Sequence, residues 1–358
     1  MDYSRRQRAV EGQLETLRLG ALLVTHLPNI RYLCGFTGSA GVFLVGRGRP
    51  VLFTDSRYTT QARQEAVGAR VVIAKGSPLA AAAQFAHKNR AGSLGIESEH
   101  MTVAARSWLR RALGSKVRLR EVGPVVEKLR MIKDADEIQI IRQAVNLGAR
   151  LLDTALQAIR PGVAEAEVAA ELEYAARRAG AEGMSFETIV VAGPRSAMPH
   201  GRASAAAVPA RGFVVLDFGV ILHGYCSDMT RTVHVGKVSS AERHMYQAVR
   251  EAQEAAEAAV GAGVACGQVD RAARNALRRA RLGRYFTHST GHGVGLEIHE
   301  PPRIGRGQTE SLRAGMVITV EPGVYLPGEG GVRIEDMVVV TASGCDVLTP
   351  APKELIEL

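Results

Sequence analysis

The chain has 358 residues, 46% of them apolar and 23% charged, an ordinary globular balance with enough length for two separately cored domains. Its formal net charge of +9 is spread along the sequence and not gathered into a basic block. That excludes nucleic acid as the expected partner and implies a generally basic surface whose field favours anionic peptides. No apolar run is long enough to span a bilayer, and no apolar stretch follows the charged N-terminal residues, so neither a membrane span nor a signal peptide is expected. Cys34, Cys226, Cys266 and Cys345 show no C-x-x-C spacing, as expected of reduced thiols in a cytoplasmic protein.

Up to Gly123-Pro124, short apolar runs alternate with helical patterns. Ala21-Leu22-Leu23-Val24 reads as a strand, and the runs 42–45 and 51–54 flank Gly46-Arg47-Gly48-Arg49-Pro50, a hairpin signature. A helix over 56–66, a strand over 70–73, a helix over 79–87, a strand over 93–96 and a helix over 102–113 follow. This alternation predicts an α/β domain around a mixed sheet, covering 1–124. A longer helix over 134–159, stopped by Pro161-Gly162, opens a second domain covering 125–358.

The second domain carries a faint repeat. Gly162-Val163-Ala164-Glu165-Ala166-Glu167-Val168 resembles Gly263-Val264-Ala265-Cys266-Gly267-Gln268-Val269, and each opens a helical stretch. At nearly the same offset, Gly212-Phe213-Val214-Val215 resembles Gly315-Met316-Val317-Ile318, and each leads to a carboxylate. Duplicated halves facing each other would bring Asp217 and Asp228 against Glu321 and Glu335.

Those four carboxylates and His292 are placed as a two-metal site needs them. Ionised carboxylates beside Val- and Ile-rich strands are costly unless paired or bound to a cation. Two divalent ions balance four such charges, with a hydroxide shared between them as the nucleophile. Plainer readings stand beside this one. Asp217, before Phe218-Gly219, is also a natural turn residue, and Asp228 a natural cap. Glu321 ends a strand at Pro322-Gly323, which by itself indicates little. In 332–340, two-residue alternation puts Arg333, Glu335, Met337 and Val339 on one strand face, implying an internal polar cluster or a simple Arg333–Glu335 ion pair.

His292 lies in Thr287-His288-Ser289-Thr290-Gly291-His292-Gly293-Val294-Gly295. No Glu follows His288 and Gly291 disfavours a helix, so an H-E-x-x-H protease is not expected. No Lys-Ser/Thr follows the glycines, against a phosphate loop. Thr37, before Gly38-Ser39-Ala40-Gly41, sits where a nucleophile elbow needs Gly, against a serine hydrolase. A glycine-rich loop presenting an imidazole between close-packed strands fits best.

Six motifs occur in order: Met198-Pro199-His200-Gly201, Leu216-Asp217-Phe218-Gly219, Ser227-Asp228-Met229-Thr230-Arg231-Thr232, Thr290-Gly291-His292-Gly293-Val294-Gly295, Thr319-Val320-Glu321-Pro322-Gly323 and Arg333-Ile334-Glu335-Asp336. Upstream stand Asn29-Ile30-Arg31-Tyr32-Leu33-Cys34-Gly35-Phe36-Thr37-Gly38-Ser39 and Phe53-Thr54-Asp55-Ser56-Arg57-Tyr58. With these, essentially the whole chain resembles the creatinase/aminopeptidase-fold ("pita-bread") metallopeptidases, and among them the Xaa-Pro peptidases, aminopeptidase P and prolidase. The resemblance implies an N-terminal mixed-sheet α/β creatinase-like domain and a C-terminal pita-bread domain with a pseudo-twofold repeat.

It further implies two divalent metal ions, with Mn²⁺ the first choice and Zn²⁺, Co²⁺ or Fe²⁺ also accommodated by an oxygen-rich shell with one imidazole. Asp217 would bind one metal, Asp228 and Glu335 would bridge both, and His292 and Glu321 would complete the ligand set of the second metal. Glu321 would also hold and pass on the nucleophile's proton. His200 and His299 match positions that stabilise the intermediate and embrace the proline, and His288 one that contacts substrate or relays protons. The plainer alternative for each is an ordinary hydrogen-bonded loop histidine, and the functional reading is preferred. Arg333 would orient the ligand carboxylates. The substrate implied is a dipeptide or short peptide with proline second, and the assembly a homodimer. Arg31, Arg47 and Arg57 are candidates to grip a dipeptide's carboxylate. The rivals are a methionine-type aminopeptidase, which in its simple form lacks the N-terminal domain, and a non-catalytic peptide-binding module.

Overall fold

The computed structural model describes residues 1–89 and 91–358. Residues Met1–Arg130 and Met131–Leu358 form two separate units. In the first unit, strand Ala21–Val24 is buried at every position, as a central strand covered on both faces must be. It pairs antiparallel with Val42–Gly46 and parallel with Ser93–Glu97. The six-stranded sheet continues outward through Val51–Thr54 to Arg70–Ile73 on one side and to Arg118–Val122 on the other. The expected hairpin forms, with Val42 opposite Phe53. Helices Pro78–Lys88 and Val103–Leu113 are capped by Ser77 and Thr102 and bury their Ala and Leu faces against Leu23, Leu44 and Ile96. The helix expected from residue 56 starts as a 3-10 turn, Ser56–Tyr58, before the α-helix Thr59–Glu65.

The first unit extends beyond residue 124 to Arg130 for a polar reason. Buried Glu97 accepts from the Thr25 amide (2.7 Å), the His26 amide (3.0 Å) and Asn29 Nδ2 (2.7 Å). Asn29 in turn donates to Glu127 (2.6 Å) and accepts from Arg130 (2.7 Å). Helix Val126–Arg130 is thereby tied to this unit.

The second unit opens with helix Ala135–Ala158, whose Asp134 and Glu137 form a reciprocal capping box. The repeat is legible bond by bond. In the first half, Gly162 N donates to Val208 O, Val208 N to Val163 O, Glu165 N to Ala206 O, and Ala166 N to Ser204 O. In the second, Gly263 N donates to Leu312 O, Leu312 N to Val264 O, Cys266 N to Glu310 O, and Gly267 N to Gln308 O. Each scheme launches a helix, Glu165–Arg178 and Cys266–Arg279. The first half then forms a sheet of Ile189–Ala192, Gly212–Phe218 and Met229–Val235. The second forms one of Glu300–Ile304, Gly291–Gly293, Val317–Val320, Asp336–Val340 and Cys345–Val347. No helix of the described residues is long and apolar enough to cross a membrane.

One expectation is corrected. Residues 332–340 are not a continuous strand: Gly330–Arg333 pairs with Gly323–Leu326, while Asp336–Val340 pairs with Val317–Val320. Between them the Glu335 amide donates to Thr230 O (3.1 Å), so the chain changes sheets at Ile334-Glu335. Arg333 and Glu335 therefore belong to no common strand face.

Candidate metal centre

Each carboxylate of the cluster is delivered by the end of an apolar strand. Asp217 sits in Gly212–Phe218, in register between Ile189 and Thr230. Its Oδ2 accepts from Arg333 at 2.5 Å, while Oδ1 is buried and has no hydrogen-bond partner. Asp228 immediately precedes Met229–Val235 and is buried. Glu321 follows Val317–Val320, with its amide donating to Thr290 O at 2.7 Å. Glu335, at the sheet change, accepts from Thr230 Oγ1 at 2.6 Å.

His292 lies in the short strand Gly291–Gly293, where close approach to neighbouring backbone leaves no room for a Cβ at either glycine: it would meet Thr319 O at 2.0 Å or Pro301 O at 2.3 Å. The His292 Nδ1 faces Gly293 O at 3.0 Å, so this nitrogen carries the proton and Nε2 presents a lone pair. Nε2 stands 3.6 Å from Asp228 Oδ2 and 3.5 Å from Glu321 Oε1. One donor atom each from Asp228, His292 and Glu335 lie within 4.8 Å of one another, a spacing a single ion can span.

Electrostatics argue for cations here. Burial, then the neighbouring Glu335, Asp217 and Glu321, holds the Asp228 carboxyl well above the usual range. Burial, then Glu321 and Asp217, does the same for Glu335. Burial pushes Glu321 up to about 7, against the opposing charge of Arg333. Burial, then His299, drives His292 down to about 4, leaving it a neutral donor at ordinary pH. A set of carboxylates that resist ionising together, a neutral imidazole and an orphaned Asp217 oxygen fit divalent ions, which supply the missing positive charge.

A polarised chain flanks the cluster. Arg333 donates to Asp217, to Thr230 Oγ1 (3.1 Å), to Pro199 O (3.1 Å) and to Tyr325 OH (2.7 Å). Tyr325 OH lies 2.9 Å from His288 Nε2, and His288 Nδ1 lies 2.8 Å from Ser289 O. With Nδ1 donating to the carbonyl, the direction is set: Arg333 donates to Tyr325, and Tyr325 donates to His288. Burial, then Arg333, keeps His288 neutral, down to about 4. Behind the cluster, buried Arg231 donates to Glu335 O (2.6 Å), Asp336 Oδ1 (2.6 Å), Ala351 O (2.7 Å) and Pro352 O (2.8 Å).

All nine residues expected from sequence, namely His200, Asp217, Asp228, His288, His292, His299, Glu321, Arg333 and Glu335, line one cavity of about 990 Å³. The His299 ring stands 4.3 Å from that of His292, and His200 is exposed at the wall. The expected Arg333–Glu335 alternative gives way to Arg333–Asp217, because the two strands part between them. Arg31, Arg47 and Arg57 belong to the first unit, where Arg57 pairs with Asp55 at 2.8 Å. Sequence reasoning passed over Tyr325 and Thr230. The only signal for Tyr325 was a polar-tipped aromatic in the strand after Glu321, and Thr230 stood within the motif of Asp228.

Comparisons with known proteins identify the family. Residues 139–342 match metallopeptidase family M24, and residues 5–132 match the creatinase/prolidase N-terminal domain. The Xaa-Pro dipeptidase of Pyrococcus horikoshii is 36% identical over 341 residues, spanning 94% of this chain and 95% of that protein. The solved structure of an Xaa-Pro dipeptidase from Bacillus anthracis is 39% identical with a TM-score of 0.97, covering 100% of both chains. That of an X-Pro aminopeptidase from Thermotoga maritima is 36% identical with a TM-score of 0.89, covering 99% of this chain and 100% of the other. With its fold, its carboxylate–histidine cavity and both sequence regions in agreement, this chain is an enzyme belonging to metallopeptidase family M24, with a creatinase/prolidase N-terminal domain.

Proposed function

We propose that the chain is a dinuclear metal-dependent exopeptidase that hydrolyses the N-terminal Xaa-Pro bond of dipeptides or short peptides. The observation that carries this reading is the gathering of Asp217, Asp228, His292, Glu321 and Glu335 on one cavity wall. Relatives described as Xaa-Pro dipeptidases, at full-length coverage, support the substrate class. Asp228 and Glu335 would hold two ions between them, Asp217 the first, and His292 with Glu321 the second. Mn²⁺ is the preferred ion, with Zn²⁺, Co²⁺ or Fe²⁺ compatible with the same donors. When bound, the ions supply Lewis acidity at the scissile carbonyl and lower the pKa of water.

The chain's own residues do the rest. Glu321, on the cavity wall 3.5 Å from His292 Nε2, is placed to take the proton of the attacking water and deliver it to the proline nitrogen as the C–N bond breaks. Proline's tertiary amide leaves as a secondary amine and needs that proton. Arg333 holds Asp217 in place and, through Tyr325, fixes the neutral His288 ring on the cavity wall. His200 and His299 line the cavity where the proline would seat. A homodimer is the expected assembly. Four free cysteines, three of them buried, favour a reducing compartment such as the cytoplasm.

The test is hydrolysis of Ala-Pro, Ala-Pro-Ala and Met-Ala-Ser by chelated protein reloaded with each metal. Release of alanine from the proline peptides, restored best by Mn²⁺, is expected. Preference for Met-Ala-Ser would overturn the proline assignment, and a folded, Mn²⁺-loaded protein that cleaves nothing would revive a peptide-binding role.

A further inference from the structure

A smaller cavity of about 420 Å³ shares His288, Ser289, Arg303 and Gln308 with the main one. Its other charged lining residues are Arg274, Arg284 and Arg306, and no carboxylate lines it. The four arginines differ in what they face. Arg274 is buried and fully engaged: it pairs with Asp270 at 2.7 Å, donates to Phe286 O (3.0 Å) and His288 O (2.5 Å), and lies 4.2 Å over the Phe286 ring. It fixes the loop that forms the pocket wall. Arg303 donates only to Ser289 Oγ (3.0 Å) and Arg284 to Tyr285 OH, both uncharged. Among the described residues, Arg284, Arg303 and Arg306 have no carboxylate at ion-pair distance, and all three are exposed.

Three guanidinium groups around one wall, with no counter-charge, repel one another and favour an anionic guest. The main cavity supplies the opposite pole, since seven carboxylates line it, among them Asp217, Asp228, Glu321 and Glu335, against Arg202, Arg303 and Arg333. A free peptide is itself a dipole, with its ammonium at one end and carboxylates beyond. On the reading of the main cavity proposed above, the amino end goes to Asp217 and the acidic cluster. The carboxyl-terminal side then runs past His288 toward the unpaired arginines.

We infer that this side pocket is a subsite for a carboxylate borne by the residue after the proline, with Arg284 and Arg306 as the groups that read it. The substrates it favours are short Xaa-Pro-Zaa peptides in which Zaa is acidic or carries the free terminal carboxylate. It rests on the peptidase reading and extends it from a bond type to a chain length and a charge.

The measurement is kcat/KM, at low and high salt, for Ala-Pro-Asp against Ala-Pro-Asn and for Ala-Pro-Ala against its C-terminal amide. In each pair that seats its carboxylate in the pocket, the acid is favoured about five-fold at low salt, through KM, as expected of two exposed guanidinium partners. The first pair reports a side-chain carboxylate and the second a terminal one. The double variant Arg284→Gln/Arg306→Gln brings the ratio to about one, and salt compresses it in the wild type. Ratios near one for both pairs in the wild type, or a preference that survives the double variant, overturn the assignment. Should no peptide be cleaved by the Mn²⁺-loaded protein, the peptidase reading falls instead. The pocket is then judged by calorimetric binding of Ala-Pro-Asp and Ala-Pro-Asn, where equal affinity overturns it.

Discussion

The two halves of the second unit use the same backbone frame for different cargo. Both begin with a Gly-Val-Ala turn whose amides and carbonyls bond to a returning segment in the same order. Their chemistry then diverges. The first half contributes Asp217 and Asp228, the second His292, Glu321 and Glu335. Behind the shared turn the contrast is sharper. Buried Glu165 accepts from the Ala192 amide (2.9 Å), Arg195 Nε (3.0 Å) and Ser204 Oγ (2.8 Å), whereas its counterpart Cys266 is a buried thiol in an apolar cluster. Main-chain hydrogen bonding thus preserves the frame while side chains are free to specialise, and the site needs both specialisations at once.

The hardest way to break this comparison is to remove one carboxylate from each half. Asp228→Ala and Glu335→Ala should each lower kcat/KM by at least about a thousand-fold, since groups that act as a unit fail together. Metal content by elemental analysis should fall in both, and two ions retained in either variant would refute its bridging role. Next is the residue that joins the halves. Arg333→Lys loses most of a four-partner donor set that includes Asp217 and Tyr325. A loss of about 10- to 100-fold in metal affinity or activity is expected, and unchanged titrations would deny it a positioning role.

pH sharpens the comparison in the metal-free protein. His288 and His292 are shifted down from 6.5 to about 4, so they favour the folded form increasingly as pH rises towards 6.5 and add nothing further above it. The carboxylates act in the opposite sense. Glu321, raised from 4.5 to about 7, and Asp228 and Glu335, raised well above their ordinary range, bind more protons folded than unfolded. Above pH 6.5 they act alone, and stability should fall as pH rises. Melting curves of chelated protein should decline there, with Mn²⁺ restoring more at higher pH. A chelated protein whose melting temperature climbs above pH 6.5 would contradict the shared-carboxylate description.

The smallest effect tests the frame itself. Glu165→Ala should cost about 2–3 kcal/mol by stranding a buried amide and Arg195, while Cys266→Ala should cost about 1 kcal/mol as a small apolar truncation. Equal losses in denaturant titrations would mean that the halves solve this position alike.

Much of this was legible because it is local. The strands at 21–24 and 70–73, and the helix starts near Thr102 and Asp134, announce themselves through neighbouring residues. The metal-site residues were readable as charges in apolar surroundings, a conflict that demands resolution. What was hidden depends on distant partners. The sheet change at Ile334-Glu335 is set by Thr230 O and Pro322 O, which no window around residue 335 contains. Tyr325 acquires its importance from His288, far away in sequence. Helix Val126–Arg130 joins the first unit through Asn29. Alternation alone cannot report such long-range bonds.

Arg231 gives the C-terminal segment an unexpected reach. One guanidinium grips the carbonyls of Ala351 and Pro352 and, from the same planar group, that of Glu335. A proteolytic nick near residue 352 would free two of its anchors and loosen the peptide that carries the Glu335 carboxylate. Trimming a surface tail would thus be felt at the catalytic centre without touching any residue that meets substrate.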